Sequence, residues 1–395
     1  MSESSDALLP SSTPALTLAC AVACGIIVAN LYFAQPLLDL IGPDLKIGDA
    51  VGGFIVTLTQ FGYGIGLLLV VPLADRLENR RLILTMLAGT VLALAAVTLA
   101  PNEGLFLAST LALGIAAAGA QIILPFAASL APEHERGKMI GNIMAGLLTG
   151  IMLARPAASL IASEFGWRAV FGSSAVLVLL LTLCMARILP ERRPHSRESY
   201  GAILASMGRL MATMRPLQRR ALYQGVVFIV FNIFWTAAPL MLARDFGLMQ
   251  KGIALFALAG AGGALAAPLA GRLGDAGYVR AGTGAALATA CIAFLVSGYA
   301  VEAHLLLGLV LLAVLIDASA QVNQVLSQRV IFGIAGQARA RVNAVFMTTM
   351  FLLGGTGPAI ATLTYHAGGW SLAAMTAAGL MLFVFAVFLT ERRWT

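Results

Sequence analysis

Charge is what this sequence has least of. Only 11% of its 395 residues are Asp, Glu, Lys or Arg, where a soluble domain carries roughly 25%. So few charges cannot coat a water-facing surface. A soluble enzyme, a secreted disulfide scaffold and a disordered chain are excluded on that ground. Cysteine is also scarce: Cys20, Cys24, Cys184 and Cys291 all fall in apolar segments. No His or carboxylate stands near Cys20 and Cys24 at ligand spacing, so they read as small packing residues and no metal site is expected. The four histidines, His134, His195, His304 and His366, map to loops or span edges and form no catalytic cluster. No ATP-binding motif is present, and Gly64-Ile65-Gly66 lacks the preceding strand and following Lys-Ser/Thr of a nucleotide loop. The first 14 residues are polar and slightly acidic (Glu3, Asp6) with no basic stretch. A cleavable signal peptide is therefore not expected, and the first apolar run should remain as a membrane helix.

What the sequence has in abundance is apolar length. Hydrophobic residues make up 59%, in runs long enough to cross a bilayer. Twelve candidate spans can be read at 15–38, 51–73, 82–100, 104–130, 139–163, 169–189, 221–243, 252–270, 281–300, 305–327, 342–364 and 371–390. The predicted fold is an all-α membrane protein of two six-helix bundles. Residues 1–14 form a tail, 15–189 the first bundle, 190–220 a basic linker, and 221–395 the second bundle with a short tail. Within the linker, Ile203, Leu204, Met207, Leu210, Met211 and Met214 recur at helical spacing, which predicts an amphipathic helix lying on the inner leaflet.

The net charge of +7 is dispersed in clusters between spans, so no nucleic-acid partner is implied. Twenty Lys and Arg fall on the linker side and only Lys46, Arg168, Arg244 and Lys251 on the other, with Arg155 left inside a span. That asymmetry predicts a multi-pass inner-membrane protein with the linker and both termini in the cytoplasm.

The halves repeat at an offset near 200. Leu73, Asp75 and Arg80 match Leu273, Asp275 and Arg280, and Ala120-Gln121 matches Ala320-Gln321. Gly166-Trp167 matches Gly369-Trp370, each just before a half's last span. Six is even, so both repeats start from the same side and should be related by an axis along the membrane normal.

These residues carry a family resemblance. The chain resembles the major facilitator superfamily, whose loop signature reads G-x-L-A-D-R-x-G-R-R. It keeps Leu73, Ala74, Asp75, Arg76 and Arg80, with Arg81 following, and departs at Val71, Glu78 and Asn79. The second copy keeps Gly271, Leu273 and Asp275. Gly166-Trp167-Arg168 and Gln35-Pro36-Leu37-Leu38 are similar to the proton-linked drug and sugar efflux branch. That branch's fifth-span motif survives only as Gly146-x-x-x-Gly150, with Ile151 in place of proline, and Leu111 stands where a buried arginine often lies.

The loop aspartates should face helix N-termini of the opposite half, where a carboxylate gains roughly 0.3–1 kcal/mol. Asp75 is expected at the start of the eleventh span near Arg341, and Asp275 at the fifth span beside Arg136 and Lys138. With Arg76, Arg80, Arg81 and Arg280 they would form a latch on the linker side.

Ionisable groups within spans cost about 2.5–3.5 kcal/mol each and usually line a cavity. Asp317 and Arg155 are the two clear cases. Asp317, Gln321, Gln324 and Gln328 form one helical stripe, as do Gln224, Phe228, Asn232 and Trp235. Asn30, Tyr32 and Gln35, then Thr57, Gln60 and Tyr63, and finally Gln121 complete the polar set. The resemblance implies that the first, fourth, seventh and tenth spans line a central substrate cavity. Asp317 is the expected proton acceptor, with Arg155 as a partner that is exchanged between states. The expected activity is proton-coupled efflux of a small organic solute by a monomer in the lipid bilayer, with no cofactor. A proton-linked importer is the alternative within the same fold, and an intramembrane enzyme or receptor the alternative from another class.

Overall fold

In lipid, a backbone can satisfy its own polar groups only by forming helices or closed barrels, and this chain forms helices. The computed structural model describes residues 14–48, 52–194 and 198–391, and among these there is no strand. Met1–Thr13, Arg197, His195, Arg392 and Arg393 lie outside the described residues.

Nine single helical passages, among them Asn79–Leu99, Glu133–Phe165, Arg215–Phe246 and Leu306–Ile334, are long and apolar enough to span a bilayer. A tenth apolar stretch, Arg339–Leu389, has 51 residues. At 1.5 Å per residue it would run for about 77 Å, more than twice a hydrocarbon core of about 30 Å. It must therefore cross twice, and it reverses at Gly368 and Gly369. The first span begins with the short apolar helix Pro14–Ala29 and continues to Leu45. The result is twelve crossings in two halves of six.

The breaks within spans follow the small residues and prolines. The first span turns after Ala29, passes through a 3-10 segment at Gln35–Leu37 containing Pro36, and resumes as Leu38–Leu45. The second changes to 3-10 geometry at Val71–Asp75, where Pro72 cannot donate. The fourth breaks at Ala118 and Gly119, and the eighth becomes 3-10 over Ala261–Leu265. Pro125 and Pro239 sit inside the uninterrupted helices Ala120–Leu130 and Arg215–Phe246.

The glycines of the fifth span permit close helix contact. A Cβ on Gly150 would lie 2.2 Å from the Gly25 carbonyl oxygen, and one on Gly146 would lie 2.6 Å from the Ala21 oxygen. The first and fifth spans therefore meet backbone to backbone, as small residues in membrane helices allow.

The repeated Gly-Trp pairs have a structural role. Gly166 (φ +80°) and Gly369 (φ +64°) occupy backbone conformations that L side chains rarely adopt. Each tight turn delivers a tryptophan that is then anchored. Trp167 Nε1 donates to Asp44 Oδ2 at 3.0 Å, and Trp370 Nε1 donates to Ser297 Oγ at 3.1 Å. Arg168 also pairs with Asp44.

The repeated arginines act within their own halves. Arg80 Nη2 donates to the Ala186 carbonyl near the end of the sixth span. Arg280 Nη1 donates to the Glu391 carbonyl, 2.5 Å away, just past the twelfth. Each arginine thus places a cation at the negative end of its half's last helix.

The amphipathic linker helix is Tyr200–Thr213, capped by Ser199. Its apolar face packs on protein. Ile203 and Met207 are buried against Leu217, Ile331, Val342 and Phe346 of the second half, with Leu68 of the first alongside. Tyr200 Oη donates to the Leu69 carbonyl at 2.6 Å, and Arg341 pairs with Glu198, so the linker grips both halves. Arg220, counted among the linker charges, is buried at the start of the seventh span and pairs with Glu391 at 2.7 Å.

Candidate functional site

Two sides of the molecule are distinguished here by the linker. On the far side the halves touch directly. Lys251 pairs with Glu164 at 2.7 Å, and Gln250 Nε2 donates to the Pro36 carbonyl at 3.3 Å. The Ala359 backbone donates to Thr57 Oγ1 at 3.2 Å, and a Cβ on Gly53 would lie 2.1 Å from the Pro358 oxygen.

On the linker side the halves enclose a cavity of about 690 Å³. Its wall includes Leu67 and Val71 of the second span, Gln121 of the fourth, Arg136 of the fifth and Asn343 and Met347 of the eleventh. Gln121, the lining residue of its span farthest from the linker side, donates to Tyr63 Oη at 3.0 Å. Gln60 stands on the same helical face as Leu67 and Val71, fully buried, with neither amide atom hydrogen-bonded.

Beyond Tyr63 the cavity ends on a floor of rings. Tyr63 meets Phe351 at 4.5 Å between centroids, Phe351 meets Phe228 at 5.1 Å, and Phe228 stacks on Phe231 at 5.6 Å. The Arg155 guanidinium follows, 5.2 Å from Phe231, 4.9 Å from Tyr32 and 4.6 Å from Trp235. Trp235 Nε1 donates to Asp317 Oδ1 at 2.7 Å. Arg155 and Tyr32 belong to the first half, whereas Phe231, Trp235 and Asp317 belong to the second. The floor therefore closes across the interface between halves.

A second chain of bonds crosses the same interface. Arg155 Nε donates to Gln35 Oε1 at 2.7 Å, Gln35 Nε2 to Asn232 Oδ1 at 2.9 Å, and Asn232 Nδ2 to the Gly354 carbonyl at 3.1 Å. Gln35 and Asn232 are fully buried and Arg155 is 5% exposed. Removing a guanidinium from water costs several kcal/mol. Cation–π contacts return up to about 2 kcal/mol each when desolvated, and a charged hydrogen bond about 1.5–3 kcal/mol. Asp317 adds electrostatic attraction, although among the described residues no ion pair joins it to Arg155. The Trp235 indole links the two, with its face to the cation and its N–H to the acid.

Glycines of the eighth span make this arrangement possible. A Cβ on Gly263 would sit 2.4 Å from Asp317 Cβ, and one on Gly260 would sit 2.6 Å from Trp235 Cη2.

Other polar residues of the spans take different places. Asn30 turns to the sixth span, where it accepts from Ser174 Oγ at 2.7 Å, and donates to the Ile26 carbonyl, so it does not face the cavity. Gln224 accepts from Asn323 at 2.6 Å inside the second half. Asn323 lies off the polar stripe of the tenth span but on its buried face. Gln321 and Gln324 are half-buried, and Gln328 donates to Asn343 of the cavity wall at 3.3 Å. Phe231 and the Gly354 carbonyl are participants that the sequence did not single out.

The loop aspartates are not equivalent. Asp75 feels Arg341 and Arg192, with Glu198 opposing. Asp275 pairs with Arg329 of its own half at 2.5 Å rather than with the fifth span, where Arg136 instead donates to the Ala128 carbonyl. Arg76 is exposed, Arg81 lies 3.9 Å from Glu78, and Arg80 and Arg280 bind the helix ends described above.

Comparison with known proteins agrees with this architecture. The model of the Major Facilitator Superfamily matches residues 18–222 and again 220–393, once per half. The putative uncharacterized transporter YgaY of Escherichia coli (strain K12) is 36% identical over 376 residues, covering 94% of each chain. The purine ribonucleoside efflux pump NepI of Shigella sonnei is 24% identical over 227 residues, 56% of this chain and 54% of that one. The crystal structure of the human organic anion transporter MFSD10 (TETRAN) aligns with TM-score 0.65 and 22% identity, over 95% of this chain and all of the other. With its fold, its two matched halves and a relative similar from end to end, the chain belongs to the Major Facilitator Superfamily of transporters.

Proposed function

We propose that this transporter exports a small amphipathic organic solute in exchange for protons. The linker and termini lie in the cytoplasm, and access alternates between the two sides of a bacterial inner membrane. The twenty-to-four division of Lys and Arg supports that orientation. With the linker side inward, the cavity opens to the cytoplasm and the ring floor seals it from outside.

The observation that carries the coupling is the Arg155–Trp235–Asp317 chain across the interface. While Asp317 is ionised, it accepts from the indole and attracts Arg155, holding the outer side shut. Solute in the cavity loosens the floor and the halves rock outward, where Asp317 takes a proton from the outside as the solute leaves. The second change of state carries the protonated carboxyl to the inside, where it gives up the proton and the attraction to Arg155 returns. One charge crossing 100 mV supplies about 2.3 kcal/mol.

The cavity wall sets apolar side chains beside the polar groups of Gln121, Ser129 and Asn343, which suits a ring system with hydrogen-bonding edges. Arg136 and Arg192 are the cationic side chains of that wall. The nucleoside named in NepI falls within that class. The latch residues Asp75 and Arg341 would close the inner side when the cavity faces outward.

The test is growth of strains lacking or overproducing the protein against a panel of toxic compounds, nucleosides and sugars, followed by flux in inside-out vesicles under an imposed pH gradient. Asp317→Asn is expected to abolish gradient-driven accumulation while leaving exchange. Undiminished coupling in that variant would remove the proposal, and solute accumulation in right-side-out vesicles would assign import.

A further inference from the structure

A second cavity, of about 1210 Å³, lies entirely within the second half on the linker side, where the ninth span starts and the tenth and twelfth end. Its inner wall is the buried ion pair. Arg220, 2% exposed, donates to Thr283 Oγ1 at 2.8 Å and to Glu391 Oε1 at 2.7 Å. Arg220 Nε and Glu391 Oε2 have no partner. Arg280 and Arg329 stand at the rim. Arg280 is bound to a backbone carbonyl, so its charge is not neutralised there by a carboxylate. Three guanidiniums meet two carboxylates, Glu391 and Asp275, which leaves positive charge in excess.

The remaining wall is apolar and open to the bilayer. Ala285 and Gly333 are small and exposed, and Ile334 and Leu389 are 48% and 60% exposed. In the first half the chain itself crosses the corresponding place. The Asn79 backbone donates to the Arg192 carbonyl at 2.9 Å, and the Arg192 backbone donates to Glu78 at 3.1 Å. The occupant must be negative at one end and apolar at the other.

We propose that this cavity is a binding site for an anionic glycerophospholipid of the linker-side leaflet. Its phosphate is held by Arg280 and Arg329 above Arg220, and its acyl chains run along Ile334 and Leu389. Basic pockets between spans on that side hold such headgroups by the same physics.

The test uses the full-length protein in non-ionic detergent. Its melting temperature is followed while phosphatidylglycerol, phosphatidylcholine or sodium phosphate is added at constant ionic strength. Phosphatidylglycerol is expected to raise the melting temperature saturably, and the other two are not. Arg280→Gln and Arg329→Gln should each weaken the apparent affinity about fivefold, the worth of one basic residue near a charged headgroup. Ala285→Leu occupies the apolar wall without touching a charge and should weaken it comparably. If Arg280→Gln does not fold, Ala285→Leu and Arg329→Gln carry the test. Equal protection by phosphatidylcholine, protection by phosphate alone, or wild-type titrations in the variants would overturn the assignment.

Discussion

The bond between Trp235 and Asp317 can be removed while an aromatic ring is kept. Trp235→Phe leaves a smaller ring in place of the indole that lies 4.6 Å from the Arg155 guanidinium, and removes the nitrogen that lies 2.7 Å from Asp317 Oδ1. A hydrogen bond to a charged group contributes about 1.5–3 kcal/mol. The bond joins the seventh and tenth spans of one half, but it sets the indole face on which the other half's arginine rests. Its loss should therefore weaken far-side closure by up to that amount, roughly 10- to 150-fold in the ratio of closed to open molecules. Ser163 and Met249 are exposed and flank the Lys251–Glu164 pair. Spin labels at these two positions report the far-side separation by pulsed dipolar spectroscopy. Trp235→Phe should move population from the short to the long distance, and Trp235→Leu, which also loses the ring, should move more. Distance distributions identical to the parent protein in both variants would refute the idea that this indole holds the far side shut.

Two further predictions concern stability. Gly150→Leu places a side chain where a Cβ alone would sit 2.2 Å from the Gly25 oxygen. Backbone cannot yield as a flexible side chain does, so a loss of about 3 kcal/mol or more should appear as a fall in the detergent melting temperature. Glu78 lies between spans. Burial raises its pKa, but the Arg192, Arg81 and Arg80 backbone N–H groups and the Arg81 charge together bring it below its ordinary 4.5. A carboxylate depressed in the folded state stabilises fully above its unfolded pKa and ceases to as pH falls through the lower folded value. The melting-temperature difference between the parent and Glu78→Gln should therefore be constant above pH 4.5 and shrink below it.

The six-plus-six architecture was legible because its determinants are local. Apolar length fixes the spans, and Gly166 and Gly369 mark turns that few other residues can make. Arg155 and Asp317 stood out because a charge in lipid is costly wherever it points. The rings that cage Arg155 were harder to read, since Phe231 in an apolar run looks the same whether it faces lipid, core or a cation. The amides were equally ambiguous. Asn30 and Asn232 are both buried, yet one binds Ser174 within its own half and the other bridges to Gln35 across the interface. Only tertiary packing separates them. The loop arginines misled for a related reason: Arg80 and Arg280 find helix ends more than a hundred residues away in sequence. A motif that repeats in charge thus serves each half internally. The linker helix showed an apolar face that membrane or protein could equally have covered, and protein covers it.

Alternating access driven by protonation of Asp317 is tested most directly by two distances in one molecule. Labels at Ser163 and Met249 report the far side, and labels at the exposed His134 and Ala276 report the linker side. As pH is varied, the two separations should change in opposite senses, one lengthening while the other shortens, and Asp317→Asn should abolish the dependence. Separations that change together, or a pH response that survives in Asp317→Asn, would contradict the account.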